Sequence, residues 1–166
     1  KGAIAYKKFE LADLAETIEA ALTLQGVVVL KNEYRLLQHQ EAPLAVAGVC
    51  DLWSGEADLP KAIRGIQPDV PRIILAHHPW TVDQVGDRRC DLILSGHTHG
   101  GQVELGEGPW SRFKHRLGAG LYFHDTGYLY VHKGIGYTVR FRFRVRPEIA
   151  LFRLRRWDKS DNLEVL

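Results

Sequence analysis

Between Phe9 and Leu24 the apolar residues fall at Leu11, Leu14, Ala15, Ile18, Ala21 and Leu22. Intervals of three and four residues predict an amphipathic helix, and Gly26 ends it. The run "GVVVLKNE" reads as a buried strand and "APLAVAGVC" as a second, with the polar "RLLQHQE" between them as a hairpin or short turn. "DLWSGEADLPKAIRGI" begins as a loop and becomes a short helix after Pro60. "PRIILAHHP" is an apolar strand closed by proline, "TVDQVGDRR" has room for a helical turn, and "CDLILSG" is another buried strand. Continuous apolar runs separated by helical segments describe sheets covered by helices, an α/β design. Past Val103 a glycine-rich loop leads into "LYFHDTGYLYVHKGIG" and "RFRFRVRPEIALFRLRR", which alternate like antiparallel strands. Asp125-Thr126-Gly127 is a hairpin-type turn. The expected arrangement places "VVVL", "LAVAGV", "IILA" and "LILSG" in one sheet, with the C-terminal strands helping to form a second sheet packed against it.

A length of 166 residues predicts a single domain, 1–166, around one core. The formal charge of +2 names no partner and argues against a dedicated nucleic-acid binder. Cys50 and Cys90 are too few for a disulfide framework and read as reduced, half-buried thiols. No apolar run approaches the roughly 20 residues of a membrane span, which predicts a soluble domain. Localisation is not legible, and attachment to a membrane surface stays open.

Chemistry enters with "DLILSGHTHGGQV", Asp91 to Val103. On extended backbone, residues i and i+2 share a face with roughly 6.5 to 7 Å between α-carbons. His97 and His99 then present two imidazoles to two metal ions about 3.5 to 4 Å apart, with Thr98 turned away. Gly96, Gly100 and Gly101 permit tight bends, and the carboxyl end of a strand is where α/β sheets collect their sites. "IILAHHP" has the same build, four apolar or small residues and then histidine at the rim, so His77 or His78 comes to lie beside the H-x-H pair. Alternation admits only one of those two. A polar rim whose histidines bond to loop carbonyls explains the same spacing without a metal.

In order and spacing, "PRIILAHHP", "CDLILSGHTHGGQV", "YVHKGIG" and "RPEIALFRL" resemble the C-terminal half of the calcineurin-like metallophosphoesterases, in the bacterial branch that carries G-H-T-H-G-G-Q. "VAGVCDLWSG" and "GVVVLKNE" are similar to that branch too, so the resemblance runs from about Gly26 to Leu154. It implies an α/β layered metallophosphoesterase-type sandwich of mixed sheets with flanking helices, of which this chain is the C-terminal portion. It also implies metal-dependent hydrolysis of a phosphomonoester, a phosphodiester or a lipid-linked pyrophosphate. His77 and His97 correspond to ligands of one divalent ion and His99 to a ligand of the other, with manganese, zinc or iron as the metal type and two ions in a complete site. His78 stands at a variable position outside the ligand set. Asp51 is implied to fix a loop near the site. The resemblance assigns no catalytic or substrate-binding side chain here.

The family's D-x-H and G-D-x-x-D motifs have no counterpart. Its G-N-H-D/E motif aligns with "KGAIAY", where Ala3, Ile4 and Ala5 replace the asparagine, histidine and acid; unrelated sequence joined to a fragment is the other reading of this stretch. Two divalent ions repel, and carboxylates offset that repulsion where neutral imidazoles do not. The expectation is a site incomplete in this chain, which alone holds at most one zinc-type ion. A fragment, half of a split enzyme and a degenerate homologue all satisfy it. A complementary N-terminal half or a second copy is then an expected partner. The alternative function is a non-catalytic module binding an anionic ligand or a membrane surface.

Arg140, Arg142, Arg144 and Arg146 alternate with Phe141, Phe143 and Val145, which on a strand places four guanidinium groups on one face. A solvated face is the ordinary meaning; a phosphate-rich substrate, an anionic membrane surface or nucleic acid is the sharper one. Trp53, Trp80, Trp110 and Phe113 flank the site as core or lid residues, and exposure of several would favour an amphiphilic substrate. Trp157 caps the core or rests at a lipid interface. His39, His115, His124 and His132 have no ligand spacing.

Overall fold

The computed structural model describes residues 8–39, 42–101, 117–136 and 142–155. The "KGAIAY" stretch, Trp110, Phe113, His115, Arg140, Phe141 and Trp157 lie outside them.

Helix α1 spans Lys8–Leu24. Its end is closed as the sequence predicts: Gly26 takes φ 78, Gly26 N–H donates to Thr23 O at 2.9 Å, and Val27 N–H donates to Leu22 O at 3.0 Å. Those two bonds satisfy carbonyls that the helix leaves open. Helix α2, Leu59–Ala62, begins one residue before Pro60, because Asp58 caps it, its side chain accepting from Lys61 N–H at 2.8 Å. A 3-10 turn covers Pro79–Gln84.

The strands are β1 (Glu33–His39), β2 (Ala42–Gly48), β3 (Arg72–Leu75), β4 (Leu92–Ser95), β5 (Gly120–His124) and β6 (Gly127–Val131). They form one six-stranded mixed sheet in the order β1-β2-β3-β4-β6-β5. The centre, β2-β3-β4-β6, is parallel, and β1 and β5 pair antiparallel at its edges. Asp125 and Thr126 make the two-residue turn between β5 and β6, where His124 faces Gly127.

Two expectations about the sheet are corrected. Val27–Leu30 is not a strand; the edge strand is Glu33–His39, most of which falls in the stretch read as a turn. Pairing with β2, rather than apolar content, selects it, and Tyr34, opposite Ala47, packs its ring against the core. Leu30 instead packs over Gly48, where an added β-carbon would lie 2.5 Å from Leu30 Cβ. The hairpin β5-β6 forms no second sheet. β6 runs parallel beside β4 and extends the first one.

One face of the sheet carries the core. Ala45, Ala47, Ile74, Ile93 and Leu129 pack there against Leu59, Ala62, Ile63, Ile66, Val85 and Leu117. The other face, with Val46, Ile73, Leu75, Leu92, Leu94, Tyr128 and Tyr130, is only partly covered among the described residues, and Leu75 is 43% exposed. Cys90 is buried, which pushes its thiol pKa up to about 11, while Cys50 is half-buried.

The arginine-rich stretch departs from its expected form as well. Arg144 has φ 60 and Val145 is buried, so Arg142, Arg144 and Arg146, the described members of the series, do not continue as one regular strand face. Arg142 turns inward and donates to Lys133 O at 3.0 Å, to Gly134 O at 3.2 Å and to Gly136 O.

Candidate metal centre

Parallel pairing of β3 with β4 brings both strand ends to one rim. The ladder continues past the strands: Ala76 N–H donates to Leu94 O at 3.1 Å, and Gly96 N–H donates to His77 O at 3.0 Å. His77 and His97 are thereby held side by side, with His77 Nε2 and His97 Nδ1 3.1 Å apart. His78 completes the cluster, since each of His77, His78 and His97 offers a nitrogen within 4.8 Å of the others.

The backbone that delivers His97 is not extended. His97 has φ 64 and His99 φ 50, and Thr98 N–H donates to Gly96 O at 2.7 Å across a three-residue turn. Left-handed backbone at two consecutive histidine ligand candidates is uncommon and strained. The same-face argument for His97 and His99 therefore fails, and the two rings point to different surroundings. Gly100 follows at φ 65, where a β-carbon would come 2.8 Å from Val145 Cγ1. Only glycine lets this loop close over Val145.

His78 is 2% exposed, and burial lowers its pKa. Its Nδ1 lies 3.3 Å from Asp51 Oδ2, close enough for charge attraction, yet neither ring nitrogen makes a directed hydrogen bond. Two undirected nitrogens on a buried imidazole are a cost that a ligand removes. His97 is shifted down as well, by burial first and then by His78 and His77. Both rings are therefore biased toward the neutral form that binds metal.

His99 stands apart from this group. Arg142 Nη2 lies 3.3 Å from its Nδ1, and its ring faces Gly134 and Gly136. Beyond that loop Glu148 N–H donates to Gly134 O at 3.2 Å, so the R-P-E element braces the glycine loop behind His99. A guanidinium has no lone pair, so any hydrogen bond across this contact is accepted by Nδ1.

Trp53 covers the cluster from the Asp51 loop, its ring 4.7 Å from that of His78 and 4.3 Å from that of His97. Asp51 shapes this loop by accepting from Ser54 N–H at 2.7 Å. The Trp80 ring lies 5.8 Å from that of His97. Beside His77 a groove of about 470 Å³ runs between Leu75, Leu94, Tyr130, His132 and Phe152. Strand alternation admitted only one of His77 and His78, a rule that does not apply because β3 ends at Leu75, and it was the family resemblance that left His78 outside the ligand set. Sequence reasoning gave Arg142 to a solvated face, and the φ of Arg144 that turns it inward has no sequence signal.

No family model matches the chain, and no solved structure matches it significantly. Curated relatives do. The chain is 32% identical to phosphodiesterase YaeI of Escherichia coli, over 85% of its own length and 51% of that protein. It is 34% identical to UDP-2,3-diacylglucosamine pyrophosphatase LpxG of Chlamydia trachomatis, over 85% of its length and 48% of that protein. With the metallophosphoesterase YkuE of Bacillus subtilis it shares 30% identity, over 82% and 50% respectively. The chain thus spans about half the length of these relatives.

Proposed function

The chain belongs to the calcineurin-like metallophosphoesterases, and on that premise we propose that it takes part in metal-dependent hydrolysis of phosphate esters. The observation that carries the reading is the meeting of His77, His78 and His97 at the adjoining carboxyl ends of β3 and β4. Neutral imidazole suits zinc, iron and related ions, so the donor set fits the metal that the family implies. His77 and His97 would hold one ion. His99 would serve a second, once it is released from Arg142.

Divalent ions at such a centre polarise the phosphoryl oxygens and supply a nucleophile at neutral pH. The chain's own residues hold the rings. The short strands fix His77 and His97, Asp51 keeps a negative charge beside His78, and the glycine loop backs His99. The names of the relatives, a phosphodiesterase and a UDP-2,3-diacylglucosamine pyrophosphatase, support a substrate among phosphodiesters and lipid-linked pyrophosphates. Carboxylates to balance two ions would come from a second layer over the open sheet face. A complementary N-terminal half is the occupant that the relatives' doubled length favours, with a second copy as the other outcome.

Manganese- or zinc-dependent hydrolysis of bis(p-nitrophenyl) phosphate tests the reading, with and without a polypeptide supplying that half. Activity lost in His97→Ala supports it. Metal-independent binding of anionic lipid by a chain with no hydrolysis in either setting would replace it with the non-catalytic module. Sedimentation at several concentrations tests the second layer, since a strictly monomeric, cooperatively folded chain would show that the open face needs none.

A further inference from the structure

The loop from Cys50 to Asp58 is held more firmly than its exposure requires. Asn32, itself at φ 53, accepts from Cys50 N–H at 3.0 Å and from Asp58 N–H at 3.1 Å through one oxygen. Its amide group donates to Glu56 O at 2.7 Å. Inside the loop, Ser54 bonds to both the side chain and the carbonyl of Asp51, and Gly55 N–H donates to Leu52 O at 3.2 Å with Gly55 at φ 79. One asparagine closes both ends, and a capped turn fixes the tip.

At that tip sits Trp53. It touches the rings of His78 and His97 and is still 72% exposed. Indole left in water forgoes much of the stabilisation that burial brings to so large a ring. A rigid loop that holds an indole at the edge of the histidine cluster, with most of its surface free, has the form of a stacking platform.

We propose that Trp53 binds the planar ring of a substrate whose phosphorus lies at the histidine cluster, and that the ring is a nucleobase. The inference rests on the phosphoesterase reading, because it needs the phosphate anchored at His77 and His97. An indole offers a broad π surface, and bases of every kind stack on such surfaces with little regard to sequence. A simple alkyl phosphate leaves the platform empty. Trp53 is thus a specificity residue, favouring esters in which a ring follows the phosphate within a few bonds.

The test uses the zinc-loaded chain and NMR titrations with three probes: inorganic phosphate, ribose 5-phosphate and uridine 5′-monophosphate. The indole N–H resonance of Trp53 is identified by its loss in Trp53→Phe. Uridine 5′-monophosphate should shift it and bind about tenfold more tightly than ribose 5-phosphate, the lower range of stacking on one aromatic side chain. Trp53→Ala should erase that advantage, the nucleotide losing about tenfold more affinity than ribose 5-phosphate does, while Trp53→Phe keeps most of it. Equal affinities for the nucleotide and the sugar phosphate, with His77 and His97 responding to both, would overturn the platform and leave the phosphoesterase reading standing. A Trp53→Ala variant that weakens all three probes alike would also overturn it, showing a structural role only. If none of the three perturbs His77 or His97, the phosphoesterase reading fails and the platform with it.

Discussion

His77 Nε2 and His97 Nδ1, delivered by adjacent parallel strands, lie 3.1 Å apart. Two nitrogens bound to one tetrahedral ion at about 2.0 to 2.1 Å would be separated by roughly 3.3 Å. The pair is thus nearly set for a shared ion before any ion arrives. Little rearrangement should accompany loading. His77→Ala and His97→Ala are each expected to weaken cobalt or zinc binding by on the order of 100-fold, at least as much as losing an outer-shell partner costs. Calorimetry and the cobalt absorption spectrum check this. A variant that binds like the parent would remove its histidine from the site.

Gly127 opens β6 under the backbone of the chain leading into β4. An added β-carbon would lie 2.1 Å from Cys90 O and 2.6 Å from Asp91 O, neither of which can rotate away as a side chain could. Gly127→Ala should destabilise the fold by about 3 kcal/mol or more, at the upper end of overpacking costs. Urea unfolding measures it. An alanine tolerated within about 0.5 kcal/mol, the range of neutral surface changes, would mean that the β4-β6 junction is looser than described.

What the sequence shows and what it hides divide along physical lines. Helix α1, its stop at Gly26, the short helix near Pro60, the strands around "LAVAG", "RIIL" and "LILS", and the Asp125–Gly127 turn were legible because each depends on its own residues. The edge strand Glu33–His39 was not, because a partner's register rather than its own composition makes it a strand. At the site, the spacing that brings His77 toward His97 could be read from two similar strands. The left-handed turn at His97 and His99 could not, since only the packed loop imposes it. Hence His78 entered the cluster, and His99 came to face Arg142.

Tyr130 ties the C-terminal segment to the sheet by donating its hydroxyl hydrogen to Glu148. That bond, then burial, then the carboxylate's charge push the phenol up to about 12. The raised value means the fold favours the neutral ring. Its contribution to stability is fully present below the ordinary tyrosine value of about 10 and is lost as pH rises toward 12. Tyr130→Phe should therefore be less stable than the parent at pH 8, and the gap should narrow between pH 10 and 12. Denaturation across that range, with phenolate absorbance to follow the late-ionising tyrosine, decides it. A gap that stays constant with pH would show that Glu148 does not hold the hydroxyl.

Asn32 offers the sharpest separation of loop order from global stability. Asn32→Ala deletes three hydrogen bonds to the Cys50–Asp58 loop and leaves alanine at φ 53, a backbone that asparagine tolerates better. Each bond contributes about 1 kcal/mol net, but the loop is half-exposed and water replaces part of the loss. A global cost of about 2 kcal/mol is expected. The local effect should be larger: amide exchange at Cys50 and Asp58 should accelerate by well over the roughly thirtyfold that 2 kcal/mol represents, because the loop then opens without the sheet. Asn32→Gly, which restores the backbone and not the bonds, should recover part of the global stability and none of the amide protection. If glycine instead restores protection at both amides, backbone conformation and not the asparagine side chain holds the loop that carries Trp53.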